Sequence, residues 1–274
     1  MNRFLTPSQI HSLSECMSRI LIIGDSWGEG EWDHLCNHHL VNLDVCGCPP
    51  GTETLYSTSH RGLEKYLIDH GCYVENRAQG GKSNLASLGR LFNGRLDTFD
   101  YIFWFVTDPL RDVGFIPDDV LTAHSEKAIK ERIAHYMDMA LETANKYGGE
   151  CKTGVTTIGG LFSPDPGLVA KYENIHIGCH SFLELCGFDI PEGWDGFHKV
   201  PYIKNKFLDL SDTALDYLEW KVDTYHGFMA NREFYPPNDG HLNRKAHKIL
   251  TEYLINKYNL TSYKDSVTIT YEFL

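Results

Sequence analysis

Ile20, Leu21, Ile22 and Ile23 form an unbroken apolar run that stops at Gly24-Asp25-Ser26, with Gly28 and Gly30 just beyond. Such a run, rich in β-branched residues, predicts a strand buried on both faces, as in a parallel sheet. Cys72 to Val74 predicts a second, shorter strand leading into Asn76-Arg-Ala-Gln-Gly80-Gly81-Lys-Ser83-Asn84. Tyr101 to Val106 is the most apolar stretch in the chain and predicts a third strand, ending at Thr107-Asp108-Pro109-Leu-Arg111-Asp112. Thr153 to Ile158 predicts a fourth, ending at Gly159-Gly160.

Between these strands the apolar spacing changes to that of helices. His60 to Asp69 places Leu63, Tyr66 and Leu67 on one face, with Gly71 as the stop. Ser83 or Asn84 caps a helix carrying Leu85, Leu88, Leu91 and Phe92, and its N-terminus offers backbone N–H groups to a negative charge. Ser125 to Tyr147 predicts a long amphipathic helix, with Ile129, Ile133, Tyr136, Met137, Ala140, Leu141 and Ala144 as its stripe. A short helix over 7–18 leads into the first strand. The last core helix carries Ala246, Ile249, Leu250, Tyr253 and Leu254. Strands alternating with helices imply a parallel sheet covered on both faces.

Three stretches fit that alternation less directly. Residues 28–58 are rich in Gly, Pro, Asn and His, and so long a loop in a compact domain is functional or a lid. Residues 161–235 read as a pocket-shaping insertion. It holds a strand near Ile175–Ile177, a short helix over Ser181–Leu185, an aromatic loop through Trp194, and a helix with Leu215, Leu218, Val222 and Tyr225. The tail, 262–274, alternates from Val267 to Phe273 and predicts a half-exposed strand at a sheet edge or subunit contact. The whole chain, 1–274, reads as one domain.

A net charge of −12 argues against a nucleic-acid backbone or an anionic membrane as partner. No apolar run approaches membrane-spanning length, and the first twenty residues contain Arg3, His11, Glu15 and Arg19 in place of a signal-peptide core. Eight cysteines without such a signal read as reduced thiols in a cytoplasm-like compartment. Cys36, His38, His39, Cys46 and Cys48 are zinc-ligand types, but they lack paired Cys-x-x-Cys spacing, so loop and core thiols are the plainer reading. Cys72, Cys151, Cys179 and Cys186 read as small buried hydrophobes.

Three polar turns that each follow a buried strand would meet at one edge of a parallel sheet: Ser26, Gly80-Gly81 and Thr107-Asp108. Asp239-Gly-His241 lies just before the last core helix. Serine hydrolysis needs a nucleophile, a histidine in reach, a carboxylate to orient it and fixed donors for the oxyanion, and these turns supply all four. Ile22-Ile-Gly-Asp-Ser26, Asn76-Arg-Ala-Gln-Gly80-Gly81 and Asp239-Gly-His241-Leu-Asn243, in that order over about 18–258, resemble the SGNH (GDSL-type) hydrolase superfamily. The surrounding Trp27-Gly-Glu-Gly-Glu-Trp32 and Gln79-Gly-Gly-Lys-Ser-Asn84 resemble uncharacterised members carried by bacteriophages, for which the host cytoplasm or the virion would be the location.

That resemblance implies a three-layer α/β/α, flavodoxin-like fold with a five-stranded parallel sheet. It implies Ser26 as nucleophile, His241 as general base, Asp239 as its orienting partner and no metal or cofactor. Backbone N–H groups of Ser26 and Gly81 would line the oxyanion hole, and the substrate would be a small-molecule or carbohydrate acyl ester. Two positions depart from the family pattern. Thr107 stands where the family has an oxyanion Asn, whose loss costs about 3–4 kcal/mol of transition-state stabilisation in other enzymes; its hydroxyl or Asn84 would have to serve. Asn238 occupies the usual Asp-x-x-His slot, with Asp239 one residue later.

Bland alternatives stand beside each assignment. Ser26 is either nucleophile or helix cap, and in a chain with fourteen histidines only the neighbouring Asp239 singles out His241. His247 reads as a solvated or packing residue. Asp108, Arg111 and Asp112 read first as an ion-pair cluster, with Asp108 also a candidate for substrate contact. Trp27, Trp32 and Trp194 either line a substrate groove or pack. The rival to an ester hydrolase is a degraded scaffold kept as a binding or virion-associated module.

Overall fold

The computed structural model describes residues 17–30, 62–114, 121–122, 125–160, 162–196, 207–208, 210–235 and 240–262. The helix expected over 7–18, the loop beyond Gly30, the tail from Val267, and Trp32, Cys36, His38, His39, Cys46, Cys48, Asn238 and Asp239 lie wholly or largely outside these residues.

Five strands form one all-parallel sheet: β1 (Arg19–Ile23), β2 (Tyr73–Asn76), β3 (Tyr101–Val106), β5 (Val155–Gly159) and β6 (Ile175–Cys179), in the order β2-β1-β3-β5-β6. A two-residue parallel pair, β4 (Leu121–Thr122) with β7 (Phe207–Leu208), stands apart from it. Counted within the large sheet alone, the order is 2-1-3-4-5, the flavodoxin-like arrangement. The fifth strand, β6, lies inside the stretch expected to be an insertion, so part of that stretch completes the central sheet.

Strand alternation divides the core in two. Leu21, Ile23, Ile102, Trp104 and Val106 face one side. There they meet α3 (Asn84–Leu88), the long α4 (Glu126–Gly148) and the first half of α7 (Asp212–Met229). Ile20, Ile22, Phe103 and Phe105 face the other. They meet α2 (Leu63–His70), α6 (Phe182–Leu185), the end of α7 and α8 (Arg244–Tyr258). Helices on both faces make three layers, and every residue of the predicted α4 stripe is buried. Cys72, Cys151, Cys179 and Cys186 are buried free thiols, and burial pushes Cys179 and Cys186 up to about 12, which keeps them protonated. No helix of the described residues is long and apolar enough to cross a membrane.

One helical expectation fails in an instructive way. Phe92 was expected on the buried face with Leu88 and Leu91, yet it is 61% exposed and lies edge-on to Tyr147. The α-turns end at Leu88 and the chain continues as a 3-10 turn over Gly89–Asn93. Three residues per turn stack Leu91 above Leu88 and swing Phe92 off that face.

His247, on α8, is buried with its ring edge-on to Phe182, so the packing reading of this residue is the one observed. Burial, and then the nearby His241, push its pKa down to about 3. The folded state therefore keeps it neutral while the unfolded chain takes up a proton below the ordinary histidine value of 6.5. Its contribution to stability is fully present above about pH 6.5 and is lost as pH falls toward the folded value, at about 1.4 kcal/mol per pH unit. His247→Leu should reduce by nearly one proton the slope of unfolding free energy against pH between about 6 and 4, read by urea denaturation. An unchanged slope would contradict the buried neutral ring.

Gly24 follows β1 at φ +137°, and a Cβ there would meet Phe105 Cβ and carbonyl oxygen at 2.7 Å. Gly24→Ala should destabilise by about 3 kcal/mol through combined strain and overlap. Thermal denaturation should show a melting point several degrees lower, and an unaltered one would refute the contact.

Candidate active site

Ser26 opens α1 (Ser26–Glu29), the first turn after β1. Asp25 caps it: its Oδ1 accepts from the Trp27 N–H at 3.0 Å, and its Oδ2 lies 3.3 Å from Arg111 Nη1. The Asp of Gly-Asp-Ser is thus a structural residue, which fixes where the serine sits. Close packing fixes it further, because a Cβ on Gly28 would approach the Phe105 ring to 2.8 Å. Residues after β1 and β3 flank the point where the sheet order reverses, which is the ligand crevice of open α/β sheets.

Across the crevice, His241 Nε2 lies 2.8 Å from Ser26 Oγ, although the residues are 215 apart in sequence. Contacts on either side hold the histidine. Tyr225 OH donates to the Gly240 carbonyl at 2.6 Å, Leu242 is buried, and the Asn243 N–H donates to Phe234 O at 2.8 Å. Asn243 also caps α8 through Lys245 N and Ala246 N.

The second-strand turn is stitched to the first. Gln79 N–H donates to Gly24 O at 3.0 Å, and Asn76 Nδ2 donates to Gly28 O at 3.1 Å. Gly80 N–H donates to Glu29 Oε2 at 2.6 Å, and a Cβ on Gly80 would lie 3.6 Å from Ser26 Cβ. Gly81 has φ +74°, open space where a Cβ would stand, and an N–H with no acceptor among the described residues.

Thr107 and Asn84 form a reciprocal pair. Thr107 N–H donates to Asn84 Oδ1 at 3.0 Å, and Asn84 Nδ2 donates to Thr107 O at 2.9 Å. Asn84 is completely buried, and its amide holds the end of β3. The α3 N-terminus is likewise satisfied internally. Ser83 Oγ accepts from Ala86 N, and Asp112 Oδ1 accepts from Leu85 N at 2.8 Å. The anion-binding role read into that helix end therefore gives way to capping by the chain itself. Asp112 is fully buried, and burial raises its carboxyl to about 6.

The expected Asp108–Arg111–Asp112 ion-pair cluster does not form as such. Arg111 turns to Asp25, Asp112 to α3, and Asp108 Oδ1 accepts from Leu110 N at 2.9 Å to start the next turn. Trp27 is buried, edge-on to Phe182 and packed on Gly160, as the packing alternative has it. Trp194 packs against Phe228, and with Tyr217 and Trp220 it surrounds the buried Lys221 ammonium, which pairs with Asp195. Among the described residues no group of three or more His, Cys, Asp or Glu side chains is placed to hold a metal.

Sequence reading named Ser26, His241, Gly81 and Thr107 but passed over Glu29, Arg111 as a partner of Asp25, and Tyr225. Only Glu29 carried a local signal, since a residue three beyond Ser26 shares its face of a helical turn.

No protein-family model matches the chain, and no curated protein matches it. Among solved structures, the psychrotrophic esterase EstA from Pseudoalteromonas sp., inhibited by monoethylphosphonate, aligns at 12% identity and TM-score 0.37, over 88% of this chain and 97% of that one. The lipase Lip_vut3 from a goat rumen metagenome aligns at 14% identity and TM-score 0.38, over 87% of this chain and 96% of that one.

Proposed function

We propose that this protein is a serine hydrolase that cleaves small acyl esters through an acyl-enzyme. The observation that carries the reading is the 2.8 Å approach of His241 Nε2 to Ser26 Oγ at the crevice of the sheet. With Nε2 unprotonated, the Ser26 hydroxyl donates to it, and Ser26 Oγ attacks the ester carbonyl as the proton passes to His241. The oxyanion is received by the N–H groups of Ser26 and Gly81, with the Thr107 hydroxyl in the place of the family's Asn. Collapse expels the alcohol, which takes the proton from His241. Water then attacks the acyl-enzyme by the same route in reverse. Asp239, two residues before His241 in sequence, is assigned the role of orienting it.

An O-acetyl group on a carbohydrate is the substrate class we favour. Trp220, 37% exposed, and Tyr217 line a cavity of about 470 Å³ together with Glu192, Thr213 and Asp216. Aromatic faces receive the C–H side of a sugar ring, and carboxylates receive its hydroxyls.

Wild type should hydrolyse p-nitrophenyl acetate and an acetylated sugar. Ser26→Ala and His241→Ala should each lose at least about a thousandfold in kcat/KM while keeping the wild-type far-UV circular dichroism. A fluorophosphonate should label wild type and leave Ser26→Ala unlabelled. A wild type inert to esters and probe alike would instead leave the binding-module reading.

A further inference from the structure

We propose that Glu29 is a positioning residue for the oxyanion site: its carboxylate anchors the Gly80-Gly81 turn to the nucleophile's own helical turn and so sets where the Gly81 N–H stands. The inference rests on the hydrolase reading for its catalytic consequence, although its structural part stands alone.

Lys82 N–H donates to Gln79 O at 3.4 Å, closing a four-residue turn with Gly80 and Gly81 at its centre. Of the two, only Gly81 has positive φ. That combination is a type II turn, and the peptide joining the central residues points opposite ways in types I and II. Elsewhere a side chain would help select between them, but two central glycines enter either at little cost. The Gly81 N–H belongs to that central peptide. A flip would therefore reverse the donor.

Two bonds anchor the residues that lead into the turn. Gln79 N–H is held by Gly24 O, and Gly80 N–H by Glu29 Oε2 at 2.6 Å. The second involves a charged acceptor and is the stronger kind of hydrogen bond. It also links the nucleophile's own helical turn to the donor turn, because Glu29 lies three residues after Ser26 on α1. Ser26 and the Gly81 donor are thereby set by one rigid piece. Space agrees with this: a Cβ on Gly80 would stand 3.0 Å from Glu29 Oε2, so the carboxylate fills the side of the turn.

The test compares Glu29→Ala, which loses the acceptor, with Glu29→Gln, whose carbonyl oxygen keeps it. Glu29→Ala should lower kcat by about 10–100-fold with KM within about twofold, since misaiming a donor weakens transition-state binding alone. Phosphonylation of Ser26 by the fluorophosphonate should slow in parallel. Glu29→Gln should recover most of that loss. In amide NMR spectra, Gly81 should keep its wild-type shift in Glu29→Gln and shift or double in Glu29→Ala. Equal kcat in Glu29→Ala and wild type, or equal losses in both variants, would overturn the inference. If wild type itself proves inert, the hydrolase reading falls, and an unmoved Gly81 amide in Glu29→Ala would overturn this one separately.

Discussion

Where β1 ends, the backbone of Gly24 lies against the backbone and Cβ of Phe105 on β3, too close for any side chain to intervene. This contact lets the chain turn off the central strand directly over its neighbour. Ser26 then begins a helical turn above the strand reversal point, and Gly28 repeats the same close approach to the Phe105 ring one turn later. Asp25 locks the turn to Arg111, which follows β3, so both central strands end in one cross-linked unit. The placement of the serine is therefore a property of the β1–β3 pairing, with little freedom left to the turn.

His241 is fixed from the other layer. Its segment hangs between α7, through Tyr225, and α8, through the Asn243 cap, and both helix ends are buried against the face that carries Ile22 and Phe105. The two halves of the pair thus meet because one core holds both, and a disturbance of either helix would reach the histidine before the serine. His247 belongs to that core, and its neutral ring sits behind the site as packing.

The sheet and its helices were legible because period-two and period-3.6 patterns report burial directly, as the α4 stripe and the Ile20–Ile23 run illustrate. The polar turns were legible because they interrupt those runs. What escaped was pairing at long range. Nothing local tells that Arg111 selects Asp25 over its neighbour Asp112, or that Asn84 spends its amide on Thr107. Phe92 escaped for a different reason, since a change from α to 3-10 winding alters phase without altering composition. Strand β6 was read as a strand but not as a member of the central sheet, because its order beside β5 is a fact of topology.

The clasp between Asn84 and the main chain of Thr107 separates where a residue is held from what it is. Both of its hydrogen bonds engage backbone atoms at 107, so the strand end keeps its position whatever side chain is attached there. The site then behaves as a socket with an exchangeable fitting. The side chain at 107 can therefore be exchanged without rebuilding the surrounding architecture.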